Sequence, residues 1–318
     1  MGKSMDLVTN EEMRLVDEYM KKWSKKEYVV RIDKEWAKER LPKRKRDSHK
    51  GTYGKAAIVA GSIEYTGAAL LAATACARSG AGYTALFLPA DLLPSFYLKQ
   101  PEILLKSIND GGRYAFNKEN MCQLLGFDAI AYGMGMGMSE EVKRGAIYLL
   151  QHYEGKLIID ADGLNSLALC DRAELSAILK NAKCDVVMTP HVKEFSRLVG
   201  RSVVEIEEDG LKLVRQFALE NNVNVLLKNA ASILTNGKDT AINTAGTSAL
   251  AKGGSGDVLS GVIAGLCAMG AKAYDGAGLG SFILGKAAEK AAADFSEYSV
   301  LASDVIAYLG RVFLDIIA

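Results

Sequence analysis

From residue 51 onward, short continuous apolar runs rich in β-branched residues end in Gly, Asp or Pro and alternate with Ala/Leu-rich stretches of helical character. "KAAIVAG" (55–61) precedes a helix at about 66–79, "YTALFLP" (83–89) one near 91–97, and "DAIAYG" (128–133) one at about 139–152. "KLIIDADG" (156–163) precedes two short helices. "DVVMTPH" (185–191) precedes one over 192–199 and a long one over about 202–221, and "VNVLLKN" (223–229) follows. Uninterrupted apolar strands between helices predict a parallel sheet buried on both faces. "SILTNGKDTAIN" (232–243) differs: two short strands flank Asn236-Gly237, a hairpin signal. The last 62 residues read as helices at about 256–270, 273–293 and 302–317. Residues 49–318 therefore predict one α/β domain, a three-layer sandwich with helices on both faces of a mostly parallel sheet and a short antiparallel extension.

The first forty residues stand apart. "TNEEMRLVDEYMKKW" places Thr9 as an N-cap with Glu12 three residues on, ahead of a helix with Met13, Val16 and Met20 on one side. Residues 24–50 are charged and carry little periodicity. We expect residues 1–48 to form a helix and then a basic arm packed across the main body.

Net charge is +1, so no global field selects nucleic acid or membrane. Residues 1–50 carry 15 Lys/Arg against 10 Asp/Glu, with "KRKR" (43–46) the sharpest cluster. Without interleaved aromatics or a recognition motif this reads as a solvated face, not a nucleic-acid patch. The five cysteines (76, 122, 170, 184, 267) are far apart, form no C-x-x-C and are odd in number, a reduced pattern. Only three histidines exist and none is near a cysteine pair, which argues against zinc. The N-terminus shows no signal-peptide architecture, and "GAALLAATACA" (67–77) is too short to span a bilayer. These features predict a soluble, cytoplasmic protein.

In open parallel sheets ligands lie at the carboxyl ends of strands. The polar and glycine-rich segments gather there: "GSIEYTGA", "GMGMGMS", "DADGLN", "PHVKE" and "KNAAS". "AKGGSGDVLSGVIAGL" (251–266) adds a glycine-rich turn that opens a helix. Such a turn lets backbone approach a ligand and exposes consecutive N–H groups, and the helix dipole adds positive charge, a site for a phosphate or transferring phosphoryl group. Asp257 in its first turn then suggests a base for a hydroxyl meeting that group; the alternative is a capping residue. "GTYGK" (51–55) lacks the length and Ser/Thr of a P-loop, and "GMGMG" (133–137) is not a dinucleotide fingerprint.

Taken together, "GMGMG", "DADGLN", "TPHVKEFSRL", "LLKNAASIL" and "NTAGTSALAKGGSGDVLSGVIAGL" resemble, in order, the NAD(P)H-hydrate dehydratases, the YjeF C-terminal or carbohydrate-kinase-related family of the ribokinase-like superfamily. The resemblance covers about residues 49–270, and the helical end also fits. It implies a ribokinase-like fold and a repair reaction: hydrated NADH or NADPH (NADHX, NADPHX) is phosphorylated on its ring hydroxyl by an adenine nucleotide, and phosphate is then expelled. "ACARSGAGYTALFLP" looks like the bacterial type, implying ADP in preference to ATP.

By position, the resemblance makes Asp257 the base. Gly254, Ser255 and Gly256 become the anion hole, with Gly256 also touching the nucleotide. Lys228, Asn229, Ala230, Ala231 and Ser232 would line the adenine nucleotide, and Ala68, Gly135 and His191 would join Asp257 on the hydrated cofactor. Glu194 would organise Mg2+ through water. Asp160 and Asp162 could help the metal or only brace loops. The family also implies a homotetramer.

Three departures stand out. "GMG" replaces "GPG", loosening a rigid turn. Asn229 replaces a glycine and must accept its backbone setting. "NTAGTSALA" replaces "N-x-T-G-N-P-G-M-A". The opening "MDLVTNEEMRLVDEY" resembles the first helix of a partner epimerase domain, without the rest of it. Two other functions share these residues: a small-alcohol kinase of vitamin precursors, and a non-catalytic nucleotide-binding protein.

Overall fold

The computed structural model describes residues 29–97 and 99–318, so the Thr9-capped helix lies outside the described residues. The strands are β1 (Val29–Arg31), β2 (Lys55–Val59), β3 (Tyr83–Leu88), β4 (Leu104–Ser107), β5 (Ala129–Tyr132), β6 (Lys156–Ile159), β7 (Asp185–Met188), β8 (Asn224–Leu227), β9 (Ser232–Thr235) and β10 (Thr240–Asn243). The helices are α1 (Lys34–Arg40), α2 (Thr66–Ala77), α3 (Leu93–Phe96), α4 (Lys118–Cys122), α5 (Glu140–His152), α6 (Ala161–Leu167), α7 (Arg172–Lys180), α8 (Val192–Val199), α9 (Val203–Asn221), α10 (Ser255–Ala268), α11 (Ala273–Phe295) and α12 (Ala302–Ile317). None is long and apolar enough to cross a membrane.

All ten strands form one sheet in the order β1-β10-β9-β8-β7-β6-β5-β2-β3-β4. Only β9 runs against its neighbours, β8 and β10. The chain winds outward from β2 through β3 to β4, then returns to place β5 on the other side of β2. That reversal makes a crevice at the carboxyl ends of β2 and β5, where such sheets bind ligands.

Side chains alternate across the sheet, as strand geometry requires. Ala56, Ile58 and Ala60 point into the layer of α1, α2, α10, α11 and α12. Ala57 and Val59 point into the layer of α5 to α9. In the first layer, α10 lies close on α2. A Cβ added at Gly261 would fall 2.1 Å from the Ala72 carbonyl oxygen, and one at Gly265 2.6 Å from that of Cys76. These two glycines let the helix backbones touch.

Within the stretch expected to be an arm, residues 29–50 hold more structure than that. Val29–Arg31 pairs in parallel with β10, adding an edge strand. Asp33 caps α1 by accepting from the Trp36 amide at 2.9 Å. The Trp36 ring, buried, covers Gly278 of α11, where an added Cβ would lie 2.5 Å away. The basic run is partly engaged: the Arg44 guanidinium stacks on the Tyr53 ring at 3.8 Å and donates to the Gly80 carbonyl.

Candidate active site

The carboxyl ends of β6, β7 and β8 and the start of α10 converge on one cluster. Past β7, the Lys228 amide donates to the Pro190 carbonyl at 2.8 Å, so His191 and Lys228 extend the parallel pairing of β7 and β8 by one step. Lys228 Nζ then donates to Asp160 Oδ1, at the end of β6, at 2.8 Å and lies 4.0 Å from Glu194 Oε2. Burial pulls the Lys228 pKa down, but the Asp160 and Glu194 carboxylates outweigh it and raise the pKa, so the ammonium is retained.

His191 is the N-cap of α8. Its Nδ1 accepts from the amides of Lys193 and Glu194 at 3.1 and 3.2 Å, while Glu194 Oε2 accepts from the His191 amide at 2.8 Å. An accepting Nδ1 fixes the neutral tautomer with Nε2–H outward, and burial, helped by Lys228, lowers the His191 pKa in the same sense. Glu194 is buried, and burial raises its pKa. Its carboxyl is already engaged by the His191 backbone, with His191 Nε2 3.4 Å from Oε1.

Gly254 begins α10 at φ 95°, a left-handed setting, and offers no capping side chain. No side chain caps this turn, and the Ser255 amide reaches only the Lys252 carbonyl, at 3.4 Å, so the turn can take a further acceptor. An added Cβ at Gly256 would lie 3.6 Å from both Asp160 Oδ2 and Lys228 Nζ, so Gly256 faces the cation. Asp257 follows in the same turn. Burial and then the charge of Asp160 raise its pKa to about 7, against the opposing pull of Lys228.

The crevice between β2 and β5 lies on the other side. Gly61 donates its amide to the Met134 carbonyl at 2.8 Å, joining the two strand-end loops. Gly135, at φ 61°, sits against Ala68 and Tyr65: an added Cβ would be 2.8 Å from the Cβ of each. Asp162 Oδ2 accepts from the Gly137 amide at 2.8 Å. The "GMGMG" turn is thus pinned, with Met134 and Met136 buried, instead of loosened by its missing proline. Asp162 braces this loop, and both oxygens of Asp160 are occupied, Oδ2 by the Ser260 hydroxyl at 2.7 Å.

Asn229, Ala230, Ala231 and Ser232 form the turn from β8 into β9. Asn229 does not take a left-handed backbone. Its carbonyl accepts from the Ser232 hydroxyl at 3.0 Å and its side chain from the Ala230 amide at 2.9 Å, so the turn closes without glycine. Beside it is a small apolar slot with Val192, Ile206, Leu211 and Ile233 in its walls and Glu207 and Asn229 among its polar groups. A kink at Asp209 in α9 lies next to Gly210, which also lines it.

A family model described as NAD(P)H-hydrate dehydratase matches residues 56–311. The chain belongs to that family. It is 32% identical over 287 residues to the bifunctional NAD(P)H-hydrate repair enzyme of Moorella thermoacetica, covering 88% of this chain and 53% of the relative. It is also 32% identical over 254 residues to the ADP-dependent (S)-NAD(P)H-hydrate dehydratase of Neisseria meningitidis, covering 77% of this chain and 80% of that one. Among solved structures, the ADP/ATP-dependent NAD(P)H-hydrate dehydratase of Bacillus subtilis, co-crystallised with ATP and Mg2+, superposes with a TM-score of 0.77 at 28% identity, covering 91% and 99% of the two chains. The chain spans about half the length of most of the curated relatives it matches. The fold is accordingly the ribokinase-like α/β sandwich that the sequence suggests.

Sequence reasoning passed over two residues of this cluster. Ser260 stands one helical turn after Asp257, a same-face spacing that signals nothing by residue type. Ala161, between Asp160 and Asp162, is held at φ 48°, a left-handed setting that alanine resists.

Proposed function

We propose that this chain dehydrates (6S)-NAD(P)H hydrate to NAD(P)H, coupled to cleavage of ADP to AMP and phosphate, with ATP as the alternative donor. The observation that carries this reading is Asp257. It is a buried carboxyl poised near neutrality, placed in the first turn of a helix whose amides are uncapped and next to the Lys228 ammonium. A base works best when its pKa lies near the working pH.

In this reading the crevice at Ala68 and Gly135, with His191, holds the hydrated nicotinamide ring and turns its hydroxyl toward Asp257. Asp257 takes the hydroxyl proton as the oxygen bonds to the terminal phosphorus of the nucleotide, and the bridging P–O bond breaks to release AMP. The amides of Gly254, Ser255 and Gly256 receive the equatorial oxygens, as preorganised dipoles that need not reorient during transfer. In the second step the C–O bond to phosphate breaks as the ring nitrogen lone pair moves in. Loss of the neighbouring C–H proton restores the diene.

The nucleotide lies over the Lys228–Ser232 turn, with its base toward the slot of Ile206, Leu211 and Ile233. Among the described residues no group of three or more acidic, histidine or cysteine side chains forms a metal cage. Magnesium fits here as an ion carried mainly by phosphate oxygens and water, with the buried Glu194 carboxylate holding its water shell. When bound, it neutralises charge on the nucleotide phosphates. A homotetramer in the cytoplasm completes the reading, and the five free cysteines suit such a compartment.

The test is direct. The protein is incubated with hydrated NADH or NADPH, Mg2+ and either ADP or ATP, and the reduced nicotinamide absorbance is followed. Recovery with release of inorganic phosphate is expected. A stable phosphorylated alcohol would indicate a kinase instead, and no recovery from folded protein with either nucleotide would end the proposal. Light scattering reads the assembly.

A further inference from the structure

We infer that Asp160 is a positioning residue for phosphoryl transfer: it fixes the Lys228 ammonium beside Gly256 and ties it, through Ser260, to the helix that carries the anion hole. The inference rests on the reaction proposed above. It gives Lys228 a task beyond lining the nucleotide, namely contact with the phosphoryl group as charge builds on it.

Two strand ends and one helix meet at Asp160. The residue is 1% exposed, and both oxygens are used. Oδ1 accepts from Lys228 Nζ at 2.8 Å, reaching from β8, and Oδ2 accepts from Ser260 Oγ at 2.7 Å, reaching from α10. Ser260 is fully buried. Charge-assisted bonds of this kind, out of water, hold their partners tightly. A carboxylate bonded on both oxygens and buried is held in one orientation, anchored between β8 and α10. What it can do is set where the ammonium sits.

That place is specific. Lys228 Nζ would be 3.6 Å from a Cβ built on Gly256, so it lies next to the first turn of α10. Of the lysines, Lys228 alone is ion-paired to this cluster among the described residues, and Asp160, Glu194 and Asp257 surround it. A lysine on a four-carbon stem loses much rotamer freedom when fixed. The Asp160 bond meets that cost before the nucleotide arrives. The backbone concedes something as well. Ala161, directly after Asp160, is held left-handed at φ 48°, a setting of the kind stored at functional sites.

The consequence is a division between kcat and KM. Misplacing one charge by about an ångström costs up to about 100-fold in rate. Asp160→Asn keeps the shape but removes the charge that anchors Lys228. We expect kcat to fall about 10–100-fold with the KM for ADP changed less than about threefold. If Asp160 acts through Lys228, adding Asp160→Asn to Lys228→Met costs nothing further, because the residue it positions is gone. Losses that multiply in the double variant, or a loss confined to KM, overturn the inference. Should Asp160→Asn fail to fold, Ser260→Ala takes its place. There a kcat loss of about 3–10-fold with KM unchanged is expected, and unchanged kcat overturns the inference.

A binding measurement separates this inference from the reaction it rests on. By calorimetry in magnesium buffer, the folded Asp160→Asn and Ser260→Ala variants should bind ADP as the unaltered chain does. Each should lose the tightening that aluminium fluoride, a mimic of the transferring phosphoryl group, confers on AMP, the nucleotide left when ADP has given that group up. Equal tightening in the variants and the unaltered chain overturns the inference even if hydrate is never turned over.

Discussion

The two ends of α10 use glycine for opposite purposes. At its first turn, a Cβ on Gly253 would meet nothing within 4 Å and one on Gly256 only ordinary contacts, 3.6 Å from Asp160 Oδ2 and Lys228 Nζ, so missing side chains leave space for a ligand. The left-handed Gly254 is packed instead, its Cβ position 2.6 Å from Leu71 Cδ1. Two turns later, Gly261 and Gly265 leave no space at all. An added Cβ would lie 2.1 and 2.6 Å from the carbonyl oxygens of Ala72 and Cys76 on α2. The sequence reading assigned the glycines of "AKGGSGDVLSG" together to the phosphoryl site. The structure divides them: Gly253 and Gly256, before Asp257, leave the site open, and those after it close a helix–helix contact. The second set makes the first dependable, because a helix start aims its amides only if the helix is held rigidly.

The contrast can be broken at either end. The largest expected effect is Asp257→Asn, which should cut kcat about 100- to 10,000-fold while nucleotide affinity by calorimetry stays within about threefold. Full turnover would remove Asp257 from the chemistry. The same variant should be more stable. Burial raises the Asp257 pKa above its unfolded value, so its contribution is favourable in acid and is lost as pH rises through about 7. Asparagine carries no such penalty. Urea melts should show a gain of about 1–3 kcal/mol at about pH 8 and little below about pH 4; a gain at low pH alone would reverse the assignment.

Next is Gly261→Ala, which forces two backbones apart and should cost about 3 kcal/mol or more by urea melt. A loss below about 0.5 kcal/mol would mean that α2 and α10 slide freely. Gly256→Ala should do the opposite. Its methyl meets only ordinary contacts, so stability should hold, yet the methyl projects toward the phosphoryl space and kcat should fall about 10–100-fold. The pH profile of the unaltered chain is gentler. Below about pH 7 Asp257 is protonated and cannot accept the hydroxyl proton, so kcat should drop roughly tenfold per unit. A flat profile from about pH 5 to 8 would dissociate the rate from this carboxyl. Smallest is Gly253→Ala, where an added Cβ meets nothing within 4 Å; melts should move by less than about 0.5 kcal/mol.

The central strands were legible because each is apolar over most of its length after its first residue, the signature of a sheet covered on both faces. The rims were not. β1 is three residues long and β4 alternates exposed and half-buried positions at an edge, so neither carries enough pattern to distinguish it from a loop. In α1, Trp36 and Ala37 are buried among five exposed or half-buried positions, too few to show a period. At the site, the gathering of Lys228, His191 and Glu194 was foreseeable from their strand-end positions, and that of Asp257 from the glycine-rich helix start. Conformation was read less well. Asn229 took the place of a glycine yet needs no left-handed backbone, while Ala161, which nothing marks, adopts one. Side chains that matter through a partner far along the chain, such as Ser260 through Asp160, have no local sign at all.

The sheet order has a consequence for how the protein is made. Val29–Arg31 finds its partner only at Thr240–Asn243, about 200 residues later. At about 5–20 residues per second on the ribosome, the first strand waits on the order of 10–40 seconds for the last. Until then Ile32 and Trp36, both buried in the finished molecule, have nothing to cover. The nascent domain therefore carries an unpaired apolar segment through most of its synthesis.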